Sequence, residues 1–307
     1  MMETLPRLTS GQVELDLSPE AFGFLRESND ALGDVEALRG RMESDGYLYL
    51  PGFLNRADVR EARLRICEVL AAEGLLDPAY PVEEAIAATD AKVAFRPDIV
   101  SRGAPREALE RVIYGERMMG FYSRLLGGEA THFDYTWLRA VAPGKGTQPH
   151  CDVVFMGRGT KQLYTAWVPL GDVPLNVGGL IVVEGSHRNE EMRQGYCTHD
   201  VDTICQNKPG SNPLTEMGLP SFGSLGESMP SVRHWLGGRV LTAREYRMGD
   251  LLTFSVYLTH GSLDNGSNEI RFSSDSRYQL ASEPLDERWV GENPPGHGGS
   301  SVKGLIC

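Results

Sequence analysis

Residues 251–280 read LLTFSVYLTHGSLDNGSNEIRFSSDSRYQL, and two strands are written into them. The first is an apolar run over 251–257. It leads to His260, and the Gly-Ser-Leu-Asp-Asn-Gly stretch that follows is turn chemistry. The second covers 270–280 and alternates with period two, so Arg271, Ser273, Asp275, Arg277 and Gln279 share one face. Working outward, further strands are expected over 135–141, 164–170, 179–183 and 240–246, punctuated by Gly, Pro, Asn and Asp. Many short strands of this kind predict a β-sandwich or jelly-roll barrel.

The first half reads mainly helical. Val59, Ala62, Ile66, Val69 and Leu70 recur at helical spacing between Asn55, a candidate N-cap, and Gly74, a candidate stop. Leu109, Val112, Ile113, Leu125 and Leu126 predict a second long helix ended by Gly127-Gly128. The Tyr-Leu-Tyr-Leu run over 47–50 predicts a short strand between helices. The expected architecture is one domain over 1–307: a helical part over about 1–130, a mainly β core over about 131–285, and an insertion over 189–238. That insertion is rich in Gly, Ser, Pro and Asn. It is expected to be a long loop and a candidate lid over the mouth of the barrel.

Two histidines and a carboxylate stand out against this frame. His150-Cys151-Asp152 is followed 110 residues later by His260, and Arg271 lies eleven beyond that. Such a set covers one face of a mononuclear non-haem iron(II) and leaves positions open for O2 and an oxo-acid co-substrate. On a strand, the H-x-D spacing would send both side chains to the same face. Arg271 has the planar fork that matches the distal carboxylate of a 2-oxo acid. His132-Phe133-Asp134 is a rival H-x-D. The His150 pair is preferred because it follows the Pro143-Gly144-Lys145-Gly146 turn, precedes the 164–170 strand, and has a partner in His260 at a strand end.

Other residues carry weaker readings. Arg277 faces the same way as Arg271, as a second anion contact or in a buried ion pair with Asp275 or another acid. Thr165 and Trp167 share a face; Thr165 is a candidate co-substrate hydroxyl, and Trp167 lines the pocket or packs in the core. Trp137, Cys151 and His187 are read as structural, and His199 and His234, in the insertion, as solvated loop histidines or, less commonly, substrate contacts. His297 and Cys307 lie in a Gly/Pro-rich tail with no role assigned.

Net charge is −12, which disfavours nucleic acid and anionic membrane as partners. The five cysteines are odd in number and form no C-x-x-C pair. They are expected to be reduced thiols in a cytoplasmic protein. Residues 1–10 lack a signal-peptide core, and no apolar run is long enough to span a bilayer.

Taken in order, Pro149-His150-Cys151-Asp152, Ala166-Trp167-Val168-Pro169-Leu170, Gly178-Gly179-Leu180, Glu184-Gly185-Ser186-His187, His260-Gly261-Ser262 and Arg271 resemble the phytanoyl-CoA dioxygenase family. This is a branch of the Fe(II)/2-oxoglutarate-dependent oxygenases. The resemblance covers residues 40–290 or so, and it implies a double-stranded β-helix (jelly-roll, cupin-like) core flanked by N-terminal α-helices. It further implies iron at His150, Asp152 and His260, 2-oxoglutarate at Arg271 with help from Ser262, and succinate and CO2 as co-products. Gly178-Gly179 departs from the commoner Asn-Gly, and the insertion after His187 is long. Related halogenases lack the carboxylate, so Asp152 favours hydroxylation or another oxidation of a small or medium-sized metabolite. Two other classes compete: a cupin-like isomerase or hydrolase without a 2-oxo acid, and a non-catalytic jelly-roll binding protein.

Overall fold

The computed structural model describes residues 5–208, 210–219 and 222–307. Residues 1–4 of the N-terminal stretch and residues 209, 220 and 221 of the insertion lie outside the described residues. Two β-sheets form the frame. The larger runs Tyr47–Leu50, Leu251–Ser255, Tyr164–Pro169, Arg271–Leu280, Ala130–His132, and Trp137–Val141 also pairs with Arg271–Leu280. The smaller runs His260–Ser262, Leu180–Val183, Val240–Thr242, Phe22–Phe24.

Period-two patterning assigns each side chain to a layer. Tyr47, Tyr49, Trp167, Leu252 and Phe254 of the larger sheet share one buried cluster with Leu180, Val182 and Leu241 of the smaller. This is the core between the sheets. Their neighbours Leu48, Leu50, Ala166, Val168 and Leu251 point the other way and pack under the helices. The outer face of the smaller sheet is covered through Phe22, Ile181, Val183 and Val240. The result is a jelly roll of two facing sheets, not hydrogen-bonded into a closed barrel. Each fully buried large apolar side chain contributes about 1.5–3 kcal/mol, so this alternation fixes strand register firmly.

The helix Arg56–Ala72 starts where Asn55 accepts from the backbone N–H of Ala57. The expected second long helix is instead two, Gly103–Ile113 and Glu116–Leu126. Gly115 breaks it: its backbone turns extended, and a Cβ there would lie 2.4 Å from the Arg111 carbonyl oxygen. The expected 240–246 strand also divides, because Val240–Thr242 pairs with Leu180–Val183 while Glu245–Tyr246 pairs with Val173–Pro174. Nor is the N-terminal part purely helical, since Phe22–Phe24 and Tyr47–Leu50 enter the sheets.

The 189–238 insertion differs most from expectation. It carries helices Glu190–Gln194, Pro213–Glu216 and Met229–Leu236, and the strand Thr203–Cys205. Its Met192, Tyr196, Val201, Leu214, Leu225 and Val232 are buried against Val153, Val154 and Met156. Thr203–Cys205 pairs in parallel with Lys303–Leu305 of the tail, and Cys205 is disulfide-bonded to Cys307. The expectation of five reduced thiols is thereby corrected, with Cys67, Cys151 and Cys197 left free. Among the described residues, no helix is long and apolar enough to cross a membrane.

Candidate active site

His150 and His260 face one another across a single antiparallel bridge, and each backbone N–H donates to the other's carbonyl at 2.9 Å. This bridge, at the end of the smaller sheet, sets the separation of the two imidazoles. Asp152 is not on a strand as the H-x-D spacing suggested. It sits in a turn at the start of the short helix Val153–Met156, where its carbonyl accepts from Met156 and the Val153 N–H donates to Val256. The turn still brings the carboxylate back to the imidazoles: Asp152 Oδ1 lies 3.6 Å from His150 Nε2 and 3.7 Å from His260 Nε2.

Each imidazole is held through its far nitrogen. Nδ1 of His150 lies 2.8 Å from the Gln148 carbonyl and Nδ1 of His260 lies 3.0 Å from that of Leu258. A carbonyl only accepts, so Nδ1 carries the proton and Nε2 presents its lone pair. The three donor atoms lie within 4.8 Å of one another and all three residues are buried. Burial, and then the nearby His150, push His260 down to about 4, which keeps it neutral and able to ligate. Burial alone would raise the Asp152 carboxyl. Arg277 and then the two imidazoles overcome that and hold it well below the usual carboxylate range. One anionic oxygen donor and two neutral nitrogen donors on one face suit iron(II).

The outer oxygen of Asp152 is occupied as well. Arg277 Nη2 donates to Oδ2 at 2.8 Å, and the Thr165 hydroxyl donates to the same oxygen. Thr165 is thus committed to the carboxylate rather than to a co-substrate. The ion pair of Arg277 is with Asp152, not Asp275; Asp275 pairs with Arg139, whose Nε donates at 2.7 Å. The Arg277 guanidinium also lies 4.3 Å from the centre of the Trp137 ring.

Arg271 is 2% exposed. Its Nη1 donates to Ser273 Oγ at 3.1 Å, its Nε has no partner, and among the described residues it makes no ion pair. Burial, and then Arg139, push it down to about 10. A buried guanidinium without an anion is costly, so the site is built to receive one. The recess it faces is lined by His150, Trp167, Leu180, His260 and Ser262; Ser262 Oγ accepts from the Thr147 N–H at 2.8 Å. The residues therefore fit a 2-oxo acid as well as a metal ion.

A second cavity, of about 280 Å³, adjoins this recess, sharing Arg139, Thr147 and His150 with it and lined by Asp152 as well. Arg139, Trp137, Phe155, Phe222, Arg277 and His297 line it. Arg139 and His297 were missed as site residues. Arg139 had a signal: on the Trp137–Val141 strand it is register-paired with Ser273, between the Trp137↔Asp275 and Val141↔Arg271 pairs of the same face. His297, read as a tail residue without a role, reaches the rim through Asp202, 2.9 Å from its Nδ1. The remaining histidines are elsewhere. His132 stacks on Tyr114 with ring centres 3.7 Å apart, and Asp134 accepts from the Gly291 N–H. His187 packs on Gly46 and meets the Glu43 carbonyl, His199 meets the Gly195 carbonyl, and His234 is exposed.

Comparison with known proteins gives one family and several relatives. The phytanoyl-CoA dioxygenase (PhyH) family model matches residues 42–273. A 1-deoxypentalenic acid 11-beta-hydroxylase of Streptomyces exfoliatus is 27% identical over 263 residues, which is 82% of this chain and 83% of the relative. The protein of the same description from Streptomyces arenae is 26% identical over 86% of this chain and 87% of its own. Two solved structures share the fold. The apo form of EctD from S. alaskensis has a TM-score of 0.54 at 18% identity, over 97% of this chain and 98% of its own. The non-heme alpha ketoglutarate dependent epimerase SnoN from nogalamycin biosynthesis has a TM-score of 0.53 at 20% identity, over 88% of this chain and 93% of its own. With a family model that spans both arms of the His-Asp-His cluster, the chain belongs to the phytanoyl-CoA dioxygenase family.

Proposed function

We propose that the protein hydroxylates a small or medium-sized metabolite, with iron(II) held by His150, Asp152 and His260 and 2-oxoglutarate held by Arg271 and Ser262. Family membership supports the Fe(II)/2-oxoglutarate-dependent oxygenase class, and the two Streptomyces relatives, named as hydroxylases of 1-deoxypentalenic acid, support hydroxylation. One observation carries the reading: two imidazoles that present Nε2 converge with a carboxylate, beside a buried guanidinium that has no anion partner among the described residues. A cupin-like isomerase or hydrolase would have no use for that guanidinium.

When bound, iron and 2-oxoglutarate supply the oxidant, by oxidative decarboxylation of the 2-oxo acid with O2 to succinate and CO2. The chain's own residues hold and orient. Backbone carbonyls at Gln148 and Leu258 fix the two rings. Arg277 and Thr165 hold the outer oxygen of Asp152, which keeps its inner oxygen towards the rings. Trp167 and Leu180 wall the Arg271 recess against water, which strengthens the guanidinium's attraction for a carboxylate. The second cavity adjoins His150 and Asp152, so a molecule bound there lies beside the metal position.

The test is a screen of candidate metabolites, carboxylic acids included, that follows succinate by chromatography and product by mass. Succinate release that requires both iron(II) and 2-oxoglutarate, with a product one oxygen heavier, is the expected result. Conversion of a substrate without 2-oxoglutarate would overturn the reading.

A further inference from the structure

We propose that the 280 Å³ cavity takes a compact, apolar-bodied carboxylic acid as its monoanion, with the carboxylate read by Arg139. The inference rests on the assignment of His150, Asp152 and His260 to iron and deepens it to a substrate class.

Charge is the first argument. Five fully charged side chains line the two adjoining cavities: Arg139, Arg271 and Arg277 against Asp152 and Asp275. Four of these pair off, Arg277 with Asp152 and Arg139 with Asp275. One positive charge is left over. Iron(II) and the dianion of 2-oxoglutarate bring equal and opposite charges, so the loaded site keeps that surplus. In a chain of net charge −12, a local positive excess in a concave site is a specific feature, and it selects a single negative charge.

Access decides which guanidinium does the reading. Arg271 and Arg277 are each 2% exposed. Nε and Nη1 of Arg277 are sealed without partners beside the Trp137 ring. The Arg139 side chain is 23% exposed. Among the described residues its side chain is engaged through Nε, by Asp275 at 2.7 Å. That bond fixes the plane of the guanidinium and leaves the two terminal nitrogens for a ligand. A planar carboxylate matches that pair of donors.

The walls specify the rest of the molecule. Trp137, Phe155 and Met156 form them, and Phe95 and Phe222 stand at the mouth, 44% and 50% exposed. Exposed aromatics around a concave site reward an apolar body. Binding the carboxylate at Arg139 lays that body along the face that carries His150 and Asp152.

The experiment is anaerobic calorimetry on the full chain with iron(II) and excess 2-oxoglutarate, so that Arg271 is occupied and cannot answer for Arg139. The probes are adamantane-1-carboxylate and its neutral analogue adamantane-1-carboxamide. The acid should bind about ten- to a hundred-fold more tightly, as expected for one charge-assisted pair. Arg139→Gln should bring the acid down to the level of the amide, and Arg139→Lys should retain part of the preference. Equal binding of the two probes, or no binding of the acid, would overturn the proposal. So would an Arg139→Gln protein that keeps the acid preference but loses affinity for 2-oxoglutarate, since Arg139 would then serve the co-substrate. The visible spectrum recorded on the same samples shows separately whether iron and 2-oxoglutarate are bound. A failure of the iron assignment is thus distinguishable from a failure of this one.

Discussion

The two oxygens of Asp152 do different jobs: Oδ1 faces the imidazoles, and Oδ2 takes a hydrogen bond from Arg277 and another from Thr165. Removing Arg277 would strand a buried carboxylate. Arg277→Met should destabilise the metal-free protein by about 3–5 kcal/mol in urea unfolding, and by clearly less with iron(II) present, because the metal then supplies positive charge. Equal loss with and without iron would separate Arg277 from the metal site. Arg271→Lys keeps the charge but loses the fork, so its affinity for 2-oxoglutarate should fall roughly ten- to a hundred-fold. Unchanged affinity in an equilibrium titration would remove Arg271 from that role. At this scale the sequence was informative where chemistry restricts residue type, as with two histidines, a carboxylate and an arginine. Pairing among like residues was not legible. Nothing in the alternation of Arg271–Leu280 says that Arg277 reaches Asp152 while Asp275 reaches Arg139, since that depends on strands distant in sequence.

Among the elements, strands were more legible than the segments between them. Trp137–Val141, Tyr164–Pro169, Leu180–Val183, Leu251–Ser255 and Arg271–Leu280 lie where alternation and turn residues put them, to within a residue or two at their ends. The H-x-D segment was misread as a strand, because a turn held by a few backbone bonds has no periodicity to detect. The insertion was misread as structureless for a similar reason. Its buried residues from Met192 to Val232 are irregularly spaced, and its strand pairs with a tail about a hundred residues away, closed by Cys205–Cys307 at a separation of 102. This tie has a testable consequence. Cys307→Ser should lower stability by about 2–4 kcal/mol, measured by thermal melting without reductant. It should also loosen the wall that carries Phe222 and His297, which raises 2-oxoglutarate consumption not coupled to product. A variant with unchanged melting and coupling would show that the tie neither stabilises the fold nor shapes the cavity.

Across the whole molecule, two sheets with a shared core hold the His150–His260 bridge at one end of the smaller sheet and Arg271 at the start of the longest strand of the larger. The helices cover the outer face of the larger sheet, while insertion and tail together flank the cavity. The His150–Asp152–His260 cluster, the Arg271 recess and the 280 Å³ cavity therefore meet where the two sheets and the insertion converge. The central claim is that iron(II) and 2-oxoglutarate bind together there. Anaerobic addition of both should produce a weak visible charge-transfer band in the wild type and in His132→Ala, and no such band in Asp152→Ala or His260→Ala. A wild-type protein without the band, or a band that survives in Asp152→Ala but is lost in His132→Ala, would contradict the account.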